Sequence, residues 1–149
     1  MNNIINTHLV EELKNITHQA KAKVTTTVNT VMVQTYWQIG KMLVEDEQQG
    51  EKRAKYGKQQ LQNISRELTK EFGRGFDVLK LRNMRRFYIA FPIQDSVRLE
   101  LSWTHYRVLI RVENQKAREW YIKEAIENNC SVRALERQIS KLYKAAFRW

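Results

Sequence analysis

From Met1 to Ile39 the chain has neither glycine nor proline, and its 149 residues hold only five glycines and one proline, Pro92. An all-β sandwich or barrel needs turn residues roughly every ten positions, and this chain does not supply them. Long helices are what remains. Asn6 or Thr7 can cap the first, since either oxygen accepts from the orphan amides of an opening turn. Leu9, Leu13, Ile16, Ala20 and Val24 then recur at three- and four-residue steps, which makes one apolar face of an α-helix. The stretch Val24-Thr25-Thr26-Thr27-Val28 is β-branched and a poor helix former, so a short strand over 24–33 is the competing assignment. Val28, Val31, Thr35 and Ile39 keep the same step, and the helix is expected to reach about Asp46, with a kink in the threonines allowed.

Beyond a polar exit at residues 45–51, a second helix is expected over 55–72, with Leu61, Ile64, Leu68 and Phe72 on one face. Gly73-Arg74-Gly75 stops it, because two glycines in three residues suit left-handed backbone angles. Asp77 caps a helix to about Phe91, before Pro92. Residues 93–101 form a loop. Ser102 caps a helix through about Val112, Asn114 caps another over 115–127, and Ser131 caps a last one running toward the C-terminus. Nothing repeats and no low-complexity linker divides the chain. The expected fold class is mainly α: one compact multi-helix domain over 1–149, with a helix-turn-helix-like unit at 58–91. A plain antiparallel helical hairpin has the same signature as that unit.

Composition narrows the function. Apolar residues make up 42%, enough for a core. Cys130 is the one cysteine, which excludes a disulfide framework and a cysteine zinc site and fits a reducing compartment. No apolar run approaches the roughly 18 residues of a membrane span, and the N-terminus lacks the pattern of a secretory leader. A cytoplasmic protein with no membrane partner is expected. The formal charge is +10, which favours a polyanionic partner, most often nucleic acid. That charge is uneven: −1 over residues 1–50, +7 over 51–92 and +4 over 93–149.

No catalytic constellation is present. His8, His18 and His105 lack metal-ligand spacing, and His105, between Trp103 and Tyr106, reads as a hydrogen-bonded residue. Gly73-Arg74-Gly75 lacks the lysine and hydroxyl of a phosphate loop. Glu12-Leu13-Lys14 is the only Glu-x-Lys and has, apart from its neighbour Glu11, no carboxylate upstream to complete a Mg²⁺ nuclease site. No catalytic residue, metal or cofactor is assigned.

Two helices separate their chemistry by face. On 77–91, Leu81, Met84, Phe87, Tyr88 and Phe91 fall within about a third of the circumference, and Arg82, Arg85 and Arg86 cluster opposite. Three arginines so close repel one another, which a phosphate backbone would relieve; an outer face that is merely solvated is the plainer alternative. On the last helix, Val132, Leu135, Ile139, Leu142, Tyr143 and Ala146 form one stripe. Arg133, Arg137, Lys141, Lys144 and Arg148 form a cationic stripe within about 80° on the far side. The closing Phe147-Arg148-Trp149 would leave large apolar side chains at a chain end, so the helix is expected to continue in a longer parent or to pack on another subunit.

Several ordered blocks carry a resemblance. They are Tyr36-Trp37-Gln38-Ile39-Gly40, Ala54-Lys55-Tyr56-Gly57, residues 68–76, residues 81–88, Leu101-Ser102-Trp103-Thr104-His105-Tyr106, Arg118-Glu119-Trp120-Tyr121 and residues 131–139. Together they resemble, over roughly residues 8 to 145, the N-terminal domain of the YhcG-like bacterial proteins. That is a family of unknown function that usually pairs this module with a C-terminal PDDEXK-type nuclease domain. The resemblance implies an α-helical winged-helix or helix-turn-helix-like DNA-binding module, in a parent acting in DNA cleavage, recombination or defence against mobile elements. Related sequences often carry a Trp before the Ser-Val-Arg block, where this chain has Cys130. A nuclease half is not expected within residues 1–149, so the parent's activity is not assigned to this chain.

The expected function is therefore a non-enzymatic DNA-binding module, the targeting half of a nuclease-family protein. Arg74, Arg82, Arg85 and Arg86 are its primary contacts, flanked by Lys52, Arg53, Lys55 and Lys58. Arg74 heads the set because its glycine neighbours leave its side chain free to project. The stripe Arg133, Arg137, Lys141, Lys144 and Arg148 is secondary. The alternative is a protein-interaction module, with self-association or docking to an acidic partner through the C-terminal helix; an enzyme in its own right ranks third. The aromatics Tyr36, Trp37, Phe72, Phe76, Phe87, Tyr88, Trp103 and Tyr106 are expected in the core rather than stacked on bases.

Overall fold

The structure, a computed structural model, describes residues 6–49 and 57–146. Its elements in order are α1 (Thr7–Gln49), α2 (Gly57–Phe72), α3 (Val78–Ala90), a short 3-10 turn (Gln94–Ser96), α4 (Trp103–Leu109), α5 (Gln115–Glu127) and α6 (Val132–Ala146). The described residues contain no strand. The chain is mainly α as expected, and the wing of a winged helix does not occur among them.

The 43 residues of α1 make a rod about 64 Å long. Asn6 caps it, its Oδ1 accepting from the Leu9 amide at 3.1 Å. The β-branched stretch is helical, so the alternative strand at 24–33 does not form. The hydroxyls of Thr17 and Thr25 donate to the carbonyls of Leu13 and Lys21 one turn back, which satisfies them within the helix.

The stripe Leu9–Ile39 does not set the docking face. Burial starts at Val33 and follows Trp37, Gly40, Leu43 and Val44, a face turned roughly 150° from Leu9, Leu13, Ile16 and Val24 at 100° per residue. Only the C-terminal part of the helix has the body beside it, and there Gly40 decides which side approaches α3. A Cβ at Gly40 would collide with the Met84 carbonyl oxygen, so the two backbones meet where α1 lacks a side chain.

The elements enclose two apolar clusters. The larger gathers Val33 and Trp37 of α1, Phe87 and Phe91 around α3, Tyr106 and Leu109 of α4, Tyr121 and Ile122 of α5 and Leu135 of α6. The smaller joins Leu43, Leu61, Leu81 and Met84. Trp103 packs against both, edge-on to Tyr36 at 4.9 Å and tilted on Phe87 at 5.3 Å. Seven of the eight aromatics expected inside are buried or half-buried. Phe72 is the exception, 63% exposed at the end of α2, with its ring only 5.9 Å from that of Phe76.

Helix α4 is shorter than the expected run to Val112. It ends at Leu109, and the amides of Arg111 and Val112 turn back to the carbonyls of Val108 and Leu109. The loop at 93–101 is the one foreseen, with the 3-10 turn Gln94–Ser96 inside it.

Candidate nucleic-acid interface

The turn between α2 and α3 is built from its glycines. Gly73 closes α2 in the left-handed region at φ 76°, its amide bonded to the Thr69 carbonyl at 2.9 Å, and Gly75 follows at φ 123°. Neither conformation suits a residue with a Cβ. Ser65 donates its hydroxyl to the Phe76 carbonyl at 2.6 Å, which ties the turn back to α2. Asp77 then caps α3, Oδ1 accepting from the Lys80 amide at 2.8 Å. Arg74 stands between the glycines, exposed, with no ion pair to a described residue.

On α3 the structure divides the arginine cluster. Arg82 and Arg86 are exposed and make no ion pair with a described residue. Arg85 lies at the edge of that face and binds Glu47 of α1, Nη1 to Oε1 at 2.9 Å. The acidic end of α1 is what sequence reasoning left out: Glu45 pairs with Lys41, and Asp46 accepts from the Gln60 amide at 3.0 Å. The run of acids at 45–47 carried that signal. Leu79 and Ile89 share the outer face of α3 and are each more than half exposed, so the face mixes cation with apolar surface. On α6 the expected division holds as far as side chains are described. Arg133, Arg137 and Lys141 are exposed, Leu135 is fully buried and Val132 and Ile139 are half-buried.

The other proposed contacts are not placed. Lys52, Arg53 and Lys55 lie outside the described residues, as does Arg148. Lys58 and Lys144 fall on α2 and α6, but their side chains are outside the described set. The same is true of Leu142 and Tyr143, and Phe147-Arg148-Trp149 lies outside altogether.

Behind the surface, two side chains take up the carbonyls at the end of α3. Trp37 Nε1 donates to the Phe91 carbonyl at 2.7 Å. Arg118, the one charged side chain buried among the described residues, donates from Nη1 to the Val112 carbonyl at 2.8 Å and from Nη2 to Ala90 at 3.3 Å, and lies over the Phe91 ring. Burial pushes its guanidinium below the ordinary arginine value, and the helix end it caps carries partial negative charge that favours a cation. His105 has the structural role expected of it. Its Nδ1 sits 2.7 Å from the Ser102 hydroxyl and its Nε2 2.9 Å from the Cys130 carbonyl, joining the start of α4 to the turn before α6. No group of three His, Cys, Asp or Glu that could hold a metal ion occurs among the described residues, and none of the described helices is long and apolar enough to cross a membrane.

The profile of the DUF1016 N-terminal domain matches residues 12–145, nearly the whole chain. The chain belongs to that family. This DUF1016 N-terminal domain is similar to the Escherichia coli (strain K12) protein named "Putative nuclease YhcG", with 34% identity over 153 aligned residues that take in 81% of this chain and 41% of the relative. The domain thus spans about two-fifths of that relative's length. No solved structure matches it.

Proposed function

We propose that this DUF1016 N-terminal domain is a non-enzymatic DNA-binding module that targets a nuclease-family protein. One observation carries the reading. Lys14, Lys41, Lys70, Arg85, Arg98 and Lys123 all sit in ion pairs, whereas Arg74, Arg82 and Arg86, and Arg133, Arg137 and Lys141, are exposed without an ion pair to a described residue, as are Lys21, Lys23, Arg66, Lys80, Arg107, Arg111 and Lys116. What sets the first six apart is that they gather on the turn and outer face of α3 and at four-residue steps along α6. Groups of un-neutralised arginine and lysine at fixed spacing on rigid helices are what a phosphate backbone recognises. The similarity to a protein whose name describes a nuclease supports the same substrate class. Arg74, Arg82 and Arg86 serve as the primary contacts, with Arg85 held in place by Glu47. At most one or two of the arginines read guanine edges, and the others supply affinity.

Duplex binding across a salt series tests the proposal. With six phosphates neutralised, log K falls against log salt with a slope of about −5. Replacing Arg82 and Arg86 together by alanine reduces the slope by about 2. Binding that is indifferent to salt removes the proposal.

A further inference from the structure

Among the described residues, nothing packs along the N-terminal part of α1. Residues 7–28 are exposed apart from half-buried Val10, and one side of this arm carries Leu9, Leu13, Ile16, Ala20, Val24 and Val28. Leu13 is 54% exposed, and Ile16 and Val24 are each 63% exposed. These are not side chains that the body leaves partly open. They point about 150° away from the face by which α1 docks on α3, so no closing of the arm along its own axis can bury them.

A helix in water draws most of its stability from packing an amphipathic face. This arm has Val24-Thr25-Thr26-Thr27-Val28 within it, residues that lose side-chain freedom in a helix. Propensity alone is a weak hold on it, and a partner along the stripe would supply the missing packing. We propose that residues 7–28 pair antiparallel with the same segment of a second copy of this chain.

Three features select a second copy and that orientation. The first is period. Leu9, Ala20 and Val31 are eleven residues apart, as are Leu13 and Val24, a repeat of about 3.67 residues per turn that keeps a seam on one side of a nearly straight helix. The second is width. Antiparallel pairing sets Leu9 against Val28 of the second copy and Leu13 against Val24, and brings Ile16 to within one residue of Ala20, so that a larger side chain meets a smaller one along the seam. The third is charge. Residues 11–14 carry Glu11, Glu12 and Lys14, a net of −1, and residues 21–23 carry Lys21 and Lys23, a net of +2. The antiparallel pair sets residues 21–23 opposite 14–16 of the second copy, next to its acidic segment, whereas a parallel pair stacks each segment on its own copy. Six aliphatic side chains per arm, each about half wet, bury on the order of 1,200 Å² with their flanking stems, above the roughly 1,000 Å² that a specific interface needs.

The inference stands apart from DNA binding, since its test contains no DNA. In sedimentation velocity at about 50 μM, above the micromolar Kd that suits so small an interface, the full chain runs as a dimer. The double variant L13E/V24E runs as a monomer, and its tryptophan fluorescence on thermal unfolding is unchanged because neither side chain touches the body. A monomeric parent chain, or a double variant that stays dimeric, overturns the proposal. Orientation is read by disulfide trapping on a C130S background: L9C and V28C cross-link when mixed and not when alone. Cross-linking of L9C to itself overturns the antiparallel order.

Discussion

Arg118 shows how a single residue can fasten several elements. Its two bonds reach the end of α3 and the turn after α4 from a seat on α5. R118M leaves both carbonyls buried without a donor and is expected to cost about 3 kcal/mol, read from the denaturant midpoint. R118K is expected to recover little of it, because an ammonium cannot bridge two carbonyls held in a guanidinium's fork. Tyr106 gives the fold an alkaline limit. Its phenol donates to the Arg98 carbonyl and accepts from the Arg98 amide, and burial pushes it well above its ordinary value of 10.0. The folded state thus holds the proton more tightly than the unfolded chain does. The stabilisation is whole below pH 10 and is lost as pH rises beyond it, once the unfolded chain's phenol ionises. Urea midpoints taken upward through that pH are expected to fall more steeply in the parent than in Y106F. Neither residue stands out in the sequence. An arginine in a half-polar helix reads as surface, and only the passage of α5 beneath the end of α3 buries it.

At the scale of elements, what depends on neighbouring residues was legible. Asn6, Asp77, Ser102, Asn114 and Ser131 all cap the helices they were expected to cap, each by accepting from an amide three residues on. The glycine turn before α3 and the division of α6 into an oily and a cationic side were legible for the same reason. The docking face of α1 was not. Its apolar stripe is real but belongs mostly to the part of the helix with no described neighbour, and burial is chosen farther along, where Gly40 admits α3. G40A forces the two backbones apart and is expected to cost about 3 kcal/mol, checked by chemical denaturation. The split in the arginine cluster was also out of reach, since Glu47 is 38 residues from Arg85 and only the crossing of α1 over α3 brings them together.

At the scale of the whole molecule, some of the 26 basic side chains are engaged within the surface itself, in pairs such as Arg85 with Glu47 and Arg98 with Glu100, and the +10 is the excess that remains once every acid is counted. The part of that excess grouped on α3 and α6 is what the proposed partner meets. Replacing Arg133, Arg137 and Lys141 together by alanine is expected to reduce the salt slope of duplex binding by about 3 and to leave the unfolding midpoint within about 0.5 kcal/mol, as for other surface changes. If α6 plays no part in the contact, the slope does not move. The unbroken run of α1 from arm to body has a consequence of its own. Two copies joined through their arms would hold their bodies about 45 Å apart, counting 1.5 Å per residue from the seam's midpoint to Val33 on each side, or some 13 base pairs of duplex at 3.4 Å each. The helix would then serve as a calliper: one residue inserted between arm and body opens the gap by about 3 Å and swings each jaw by 100°.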